Sequence, residues 1–204
     1  DVAYSDAATG AKQIRLLGLE GKYIQLLTEN QPGIRGLATT CGLEYIPGPW
    51  MQSIQISKGT ASVINGYEAT TGQINIEYLK PKTADLVNIN FFENTHAHTE
   101  LNLTGGWQVA EPEKGKADVS TAVLAHGQYA PWRMDMNGDG FADMPTNEQA
   151  NLLNRWDIFK GRYTGRILVN GLYDNRKGGQ KGGVNPYKIG LKTYRVSAFM
   201  KNGV

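Results

Sequence analysis

The most regular feature of the chain is an alternation of apolar and polar residues that begins shortly after Pro81. In three successive segments every second residue is apolar, which is the period of a β-strand with one apolar face. The apolar positions are Val87, Ile89 and Phe91; Leu101, Leu103, Trp107 and Val109; and Val119, Thr121, Val123, Ala125 and Tyr129. The polar positions between them are Asn88 and Asn90; Asn102, Thr104 and Gln108; and Ser120, His126 and Gln128, with Ala122 and Leu124 interrupting the third polar face. The pattern predicts three long strands.

Three more strands are predicted further along, over residues 155–159, 163–173 and 187–200, although the last alternates poorly. Short connections are predicted at 111–116 and near Gly161, and a long one at 131–152. Short turns on one side and long loops on the other are typical of outer-membrane β-barrels, whose apolar face meets lipid. A soluble β-sandwich alternates in the same way with its apolar face inside, so the alternation alone leaves both architectures open.

Upstream of Pro81 the predicted strands are shorter and are separated by glycine. Residues 54–56 and 73–78 alternate with period two and predict two strands joined by a glycine-punctuated connection. Residues 14–19 and 22–27 predict two further strands around a Gly-Leu-Glu-Gly turn. The segment 33–42 is predicted to be a loop because it is rich in glycine and lacks periodicity. We therefore expect a mainly β protein.

Composition narrows the classes of function. The 204 residues carry 21 basic and 19 acidic side chains, so no nucleic-acid-binding surface is indicated. The sequence contains no apolar run near the ~18 residues of a membrane helix. Its 25 glycines, 10 tyrosines and 4 tryptophans suit amphipathic strands with aromatic belts, and its one cysteine, Cys41, excludes a disulfide within the chain. No nucleophile–base set or phosphate-binding loop stands out, so we predict that the protein is not an enzyme.

An ordered series of short motifs occupies residues 42–81. In order, these are Ile46-Pro47, the strand 51–56, Lys58-Gly59, the small-residue run 61–63, Gly66-Tyr67 and the strand Gly72-Gln73-Ile74-Asn75-Ile76. The series resembles the end of the plug domain of TonB-dependent outer-membrane receptors, and its order is far more specific than any single motif. The resemblance implies that 1–80 are the C-terminal part of a small α/β plug domain. It also implies that 81–204 form a partial transmembrane antiparallel β-barrel of about six strands.

The resemblance implies uptake of a scarce nutrient, such as an iron-siderophore, haem, cobalamin or another metal chelate, across the cell outer membrane. It further implies contacts with outer-membrane lipids and with the TonB complex, the latter through a segment upstream of this chain. Leu17 and Glu29-Asn30 depart from the residues usual in the family, and these departures bear on the ligand more than on the fold.

The resemblance places the loop 33–42 at the plug apex, where such receptors meet their ligand. The predicted ligand contacts are Arg35, Thr39, Thr40, Cys41 and Tyr45. The alternative is that Cys41 is a small packed residue and Arg35 a solvated or paired charge.

Residues 135–143 match the first nine positions of an EF-hand-type calcium loop. The oxygen ligands would be the side chains of Asp135, Asn137, Asp139 and Asp143 and the backbone carbonyl of Phe141, with Gly140 allowing the sharp turn. Thr146 stands where the bidentate glutamate is expected, so the prediction is a structural Ca²⁺ site of modest affinity. The alternative is an Asp/Gly turn that binds no ion.

His96 and His98 would share one face if their segment is a strand, which would bring two metal-ligating side chains together. An exposed pair at a loop edge is the alternative.

For the whole chain, the second class of function is a soluble, calcium-stabilised β-rich binding module of the carbohydrate-binding type. The two classes differ in whether the apolar faces of the strands meet lipid or a shared interior, and in whether the chain is soluble without detergent.

Overall fold

The computed structural model of the chain describes residues 2–6, 9–35, 41–60, 69–111, 113 and 115–204. The fold is mainly β, and no α-helix occurs among the described residues. The helical part of the predicted α/β plug therefore has no counterpart there. The chain divides into two compact units, Asp1–Tyr78 and Leu79–Val204, so the division lies close to the predicted boundary between 80 and 81. No helix in the described ranges has the length and apolar character needed to cross a membrane.

The described part of the first unit contains six strands in two sheets. They are β1 (Val2–Asp6), β2 (Ala11–Ile14), β3 (Ile24–Thr28), β4 (Gln31–Pro32), β5 (Met51–Lys58) and β6 (Gly72–Tyr78). β1 and β2 form an antiparallel pair. The other four strands lie in the order β4-β3-β6-β5, in which β3 and β6 are parallel and the remaining pairs are antiparallel.

The core of the first unit is built around β6, which lies between β3 and β5. Ile74 and Ile76 are buried on one face of this strand, and Gln73 and Asn75 are buried on the other. The two amides are bonded, because Gln73 Nε2 donates to Gln25 Oε1 at 2.7 Å and Asn75 Oδ1 accepts from the backbone N–H of Asn30 at 2.8 Å. A central strand with both faces covered has to satisfy its buried polar groups in this way.

The sequence prediction for the first unit is correct for one strand pair and misplaced for another. The predicted strands 54–56 and 73–78 are confirmed within β5 and β6, which pair antiparallel. The predicted strand over 14–19 is wrong, because β2 ends at Ile14 and Leu17 and Gly18 turn the chain with φ of 54° and 79°. Two successive residues with positive φ form a tight turn, which an apolar run does not reveal.

The strand predicted from residue 22 begins two residues later, since Gly21–Tyr23 form a 3-10 turn before β3. A second 3-10 turn, Gly48–Trp50, follows Ile46-Pro47 and precedes β5. The small-residue run 61–63 and the Gly66-Tyr67 pair lie outside the described residues.

The second unit is a single sheet of six antiparallel strands arranged in chain order. The strands are β7 (Asn88–Glu93), β8 (Thr99–Ala110), β9 (Asp118–Ala130), β10 (Thr146–Lys160), β11 (Tyr163–Gly179) and β12 (Lys188–Gly203). The six predicted strands are confirmed as strands, and β7 and β12 are the two edges of the sheet. The connections 94–98, 131–145 and 180–187 lie at one end of the strands, and 111–117 and 161–162 lie at the other.

Two strands of this sheet are much longer than the sequence predicts. β10 begins at Thr146, so the long connection ends at 145 and not near 152. β11 runs to Gly179, six residues past its predicted end at 173, and pairs with β12 up to that residue. In both cases the neighbouring strand supplies a continuous ladder of backbone partners, which extends pairing beyond the residues whose side chains alternate.

Candidate functional site

The six-stranded sheet has two chemically different faces, because side chains alternate across each strand and the registers align them between strands. One face, called the polar face below, carries buried amides, hydroxyls and charged groups. Its buried polar members are Asn102, Thr104, Ser120, His126, Asn147, Gln149, Asn151, Arg155, Asp157, Asp174 and Arg176. The predicted interruption by Ala122 and Leu124 also lies on this face, and both residues are buried.

The strongest electrostatic feature of the polar face is a three-residue ion cluster on β10 and β11. The guanidinium of Arg155 donates to both carboxylate oxygens of Asp157, with Nη2 to Oδ2 at 3.0 Å and Nε to Oδ1 at 3.1 Å. Arg166 lies directly across from Asp157 in the register, and its Nε donates to Asp157 Oδ1 at 3.1 Å. Two guanidinium groups thus share one buried carboxylate, which offsets the desolvation of all three charges.

Further along β11, Asp174 and Arg176 repeat the same arrangement. Arg176 Nε donates to both oxygens of Asp174 at 3.0 and 3.2 Å, and both side chains are buried. On β8 and β9, the ring of buried His126 is 2.8 Å from Asn102 Oδ1 through its Nδ1. Paired charges and amides at alternate positions keep this face polar while it is withdrawn from solvent.

Three residues of the polar face retain hydrogen-bonding capacity. Asn102 Nδ2, Ser120 Oγ and Asn147 Oδ1 are buried and have no protein partner among the described residues. Buried polar groups usually have a partner, either protein or water. The face can therefore accept water or a polar solute at these three places.

The opposite face, called the apolar face below, is exposed. Its exposed large hydrophobic members are Ile89, Phe91, Leu101, Leu103, Trp107, Val109, Tyr129, Leu152, Val169, Tyr194, Val196 and Met200. Val196, for example, is 83% exposed and Val169 is 46% exposed. A contiguous apolar surface of this extent marks an interaction with lipid or with another macromolecule.

Aromatic residues form two rows across the apolar face. Trp107 and Trp156 flank Thr121 in the registers of β8, β9 and β10. Tyr173 and Tyr194 face each other across β11 and β12, with ring centroids 5.3 Å apart. Six residues of β10 separate the two rows, which corresponds to about 20 Å along a strand.

Polar side chains of the apolar face, at and next to the row of Trp107 and Trp156, are bonded within the sheet. Asn154 Nδ2 donates to Thr121 Oγ1 at 3.1 Å and to the Ala122 carbonyl at 3.0 Å. Asn154 Oδ1 accepts from Trp156 Nε1 at 2.6 Å, and the Thr121 hydroxyl donates to the Arg155 carbonyl at 2.9 Å. These groups have protein partners and do not depend on water, which is the condition for polar atoms that meet hydrocarbon.

The three predicted ligand contacts that the structure describes do not form one exposed surface. Thr39 and Thr40 lie outside the described residues. Arg35 is exposed, whereas Cys41 and Tyr45 are 1% and 4% exposed and belong to the core of the first unit. The burial of Cys41 agrees with the alternative in which it is a small packed residue.

The loop Asp135–Asp143 is folded on its own side chains. Asp135 accepts from the N–H groups of Gly138 and Gly140, at 2.8 and 3.1 Å. Asn137 Oδ1 accepts from Asp139 N at 3.0 Å, and Asp139 Oδ1 accepts from Phe141 N at 2.8 Å. Asp143 Oδ2 accepts from Met136 N at 2.6 Å, so every predicted side-chain ligand accepts a hydrogen bond from the loop's own backbone.

The backbone of Phe141, the fifth predicted ligand, is oriented by the neighbouring loop. Phe141 forms an antiparallel bridge with Gln180, whose two bonds run from Ala142 N to the Gly179 carbonyl and from Lys181 N to the Gly140 carbonyl. The Phe141 carbonyl therefore faces away from Gln180. The oxygen types fit a hard cation such as Ca²⁺. Within the described residues, however, no three His, Cys, Asp or Glu side chains are close enough together to hold a metal.

The strand predicted to align His96 and His98 is absent, because both residues lie in the connection between β7 and β8. Their backbone N–H groups both donate to Asn94 Oδ1, at 2.9 and 3.1 Å, which fixes a turn. The ring of His98 is 2.9 Å from Glu100 Oε1 through its Nε2. Strand alternation, the premise of the two-histidine metal pair, does not apply here.

Neither a protein-family model nor a curated protein matches this chain.

Proposed function

We propose that the chain is part of a TonB-dependent outer-membrane receptor, with residues 1–80 contributing to a plug domain and 81–204 to the first strands of a transmembrane β-barrel. The observation that carries the proposal is the polarity of the six-stranded sheet. Its charged and amide side chains are buried, and its large apolar side chains are exposed. A water-soluble sheet has the reverse arrangement.

The dimensions and chemistry of the apolar face support a lipid environment. A transmembrane barrel carries an apolar band about 25 Å tall between two aromatic girdles. The spacing of about 20 Å between the Trp107–Trp156 row and the Tyr173–Tyr194 row is of this order. The internal bonding of Asn154 and Thr121 adds to the argument, because polar atoms in hydrocarbon need partners from the protein itself.

The rival function, a soluble calcium-stabilised binding module of the carbohydrate-binding type, requires the apolar residues to pack in a shared interior. Val87 is 66% exposed and Leu103 is 41% exposed. Exposed apolar side chains of this kind, one on β8 and one just before β7, favour the receptor over the module.

In this proposal the chain takes part in transport and is not an enzyme. Its receptor would take up a small molecule or metal chelate, such as an iron-siderophore, haem or cobalamin, in the cell outer membrane. The TonB complex, acting through a segment upstream of residue 1, would supply the energy. The paired charges and amides of the polar face would line the polar interior of the barrel.

Bromolipid quenching of tryptophan fluorescence tests the proposal. We expect the purified chain to aggregate without detergent, to be monodisperse in detergent, and to enter lipid vesicles. Once it is in vesicles, lipids brominated on their acyl chains should quench Trp107 and Trp156, because both lie on the apolar face. A folded, monodisperse monomer in detergent-free buffer, with no quenching by these vesicles, would contradict the proposal and favour the soluble module.

We also propose that the loop Asp135–Asp143 binds Ca²⁺ as a structural ion through Asp135, Asn137, Asp139, the Phe141 carbonyl and Asp143. Because position 12 is Thr146, we expect a dissociation constant on the order of 10⁻⁴ to 10⁻³ M. Calorimetry and terbium luminescence measure the binding, and Asp139→Ala should abolish it while Asp85→Ala, outside the loop, should not. If the chain does not bind Ca²⁺ at millimolar concentration, or if Asp139→Ala binds it as tightly as the unchanged chain, the proposed site is wrong.

A further inference from the structure

A cleft of about 400 Å³ lies at the long-loop end of the second unit and is lined by three cations, Arg133, Lys177 and Lys188. The remaining wall includes Thr146, Ile189 and Gly190. Within the described residues, no carboxylate lines this cleft. Three positive charges around one space repel each other unless an anion joins them.

The register explains why the two lysines border an open space. Lys177 lies opposite Gly190 and Lys188 lies opposite Gly179 on β11 and β12. Strand alternation puts both lysines on the apolar face, and each has a glycine in place of a cross-strand side chain. Lys177 and Lys188 are thus diagonal neighbours, and the missing side chains of Gly179 and Gly190 leave space beside them for a ligand.

The arginine is held in place more firmly than the lysines. Arg133 Nη1 donates to the Gln180 carbonyl at 3.0 Å. A guanidinium has five N–H donors in a planar fork, so this bond fixes its orientation and leaves donors for an anion. A rigid fork beside two mobile ammonium groups suits a phosphate group, which carries several acceptor oxygens.

The position of the cleft indicates where the phosphate comes from. Lys177 lies four residues beyond Tyr173 on β11, which corresponds to about 13 Å along the strand. If the Tyr173–Tyr194 row marks the edge of the apolar band, the cleft lies at the level of lipid headgroups. The exposed apolar residues below it would then contact the acyl chains of the same lipid.

We propose that this cleft binds the phosphate monoester headgroup of an anionic outer-membrane lipid. The proposal rests on the proposed function, because it requires the apolar face to meet lipid. It goes beyond that function by assigning a specific lipid site to Arg133, Lys177 and Lys188. Lipid bound here would bridge β10, β11 and β12 on their outer side.

The test measures binding of dihexanoyl phosphatidic acid by calorimetry, in whichever medium keeps the chain monomeric. We expect the double variant Lys177→Gln/Lys188→Gln to bind at least about tenfold more weakly, since two charge-assisted bonds are lost. Gly190→Leu keeps all charges but fills the cleft, and should weaken binding similarly. A Cβ at Gly190 meets only the Arg176 carbonyl, at 3.7 Å, so the backbone accommodates the change. The matched control is Lys160→Gln, an exposed lysine at the opposite end of the sheet, which should leave binding unchanged.

Inorganic phosphate and dihexanoyl phosphatidylcholine are the comparison ligands. Both should bind at least about tenfold more weakly than phosphatidic acid, because the first lacks acyl chains and the second lacks a net negative charge. If inorganic phosphate binds as tightly as phosphatidic acid, the lipid assignment is wrong. If Lys160→Gln weakens binding as much as the cleft variants do, phosphatidic acid does not bind in this cleft. Bromolipid quenching tests membrane insertion separately. Quenching without phosphatidic acid binding would contradict the lipid site alone, whereas loss of quenching would contradict the receptor proposal.

Discussion

Replacing Asp157 by alanine is expected to lower the free energy of unfolding of the second unit by about 3–5 kcal/mol. The carboxylate of Asp157 accepts hydrogen bonds from both Arg155 and Arg166, and Arg155 is fully buried. Without Asp157, the buried guanidinium of Arg155 and the partly exposed guanidinium of Arg166 lose the counter-charge that they share. The loss is measured by urea unfolding in detergent, followed by tryptophan fluorescence.

The matched control for Asp157 is an ion pair that differs in burial. Glu113 and Lys116 form a pair at 2.6 Å in the short connection between β8 and β9, and both side chains are largely exposed. Glu113→Ala should change the free energy of unfolding by no more than about 1 kcal/mol, because water and salt screen such pairs. If the two variants lose the same stability, the polar face is not withdrawn from solvent, and the ion cluster has no special role in the fold.

Side-chain alternation is the part of the fold that the sequence predicts well. β7, β8 and β9 follow from Ile89, Leu103 and Val123 and their polar neighbours, because period two is a direct consequence of strand geometry. The first part of β10 and the last part of β11 could not be predicted, since their pairing depends on a neighbouring strand distant in sequence. The turn at Leu17-Gly18 was missed because positive φ at leucine leaves no compositional signal.

The polar face is the part of the candidate site that sequence reasoning missed. Asp157 and Arg166 are nine residues apart, and they meet only because the tight turn at 161–162 sets the register of β10 and β11. One signal was available: Arg155 and Asp157 are two residues apart in a predicted strand, so they must share a face. Asp174 and Arg176 give the same signal, but they lie beyond the predicted end of the fifth strand.

Candidate ligand contacts were harder to assign, because resemblance gives a position in a motif and not the burial of a side chain. Cys41 and Tyr45 occupy the predicted apex segment, yet both pack inside the first unit. The calcium loop was easier to propose, since its predicted ligands are local in sequence. Its side chains accept hydrogen bonds from the loop's own backbone, and ion binding by the loop stays a prediction.

Introducing a charge on the apolar face is expected to have the second large effect. Val169→Arg should lower the stability of the chain in lipid bilayers by about 2–4 kcal/mol, the range for arginine at the midplane of a transmembrane barrel. Val169 lies between Asn154 and Ala198 in the registers, and it falls between the two aromatic rows, two residues from the Trp107–Trp156 row and four from the Tyr173–Tyr194 row. The measurement is reversible urea unfolding from lipid vesicles.

Val184→Arg is the control, because it makes the same substitution at a valine that is 98% exposed in the connection between β11 and β12. This variant should be nearly neutral, as surface substitutions usually are. If the apolar face met water instead of lipid, Val169→Arg would also be nearly neutral, since its side chain would stay in a solvated position. Equal stability of the two variants in bilayers would therefore contradict the lipid-facing assignment. A large difference would mean that the exposed valine of β11 is in contact with hydrocarbon, because no other environment of an exposed side chain penalises arginine so strongly.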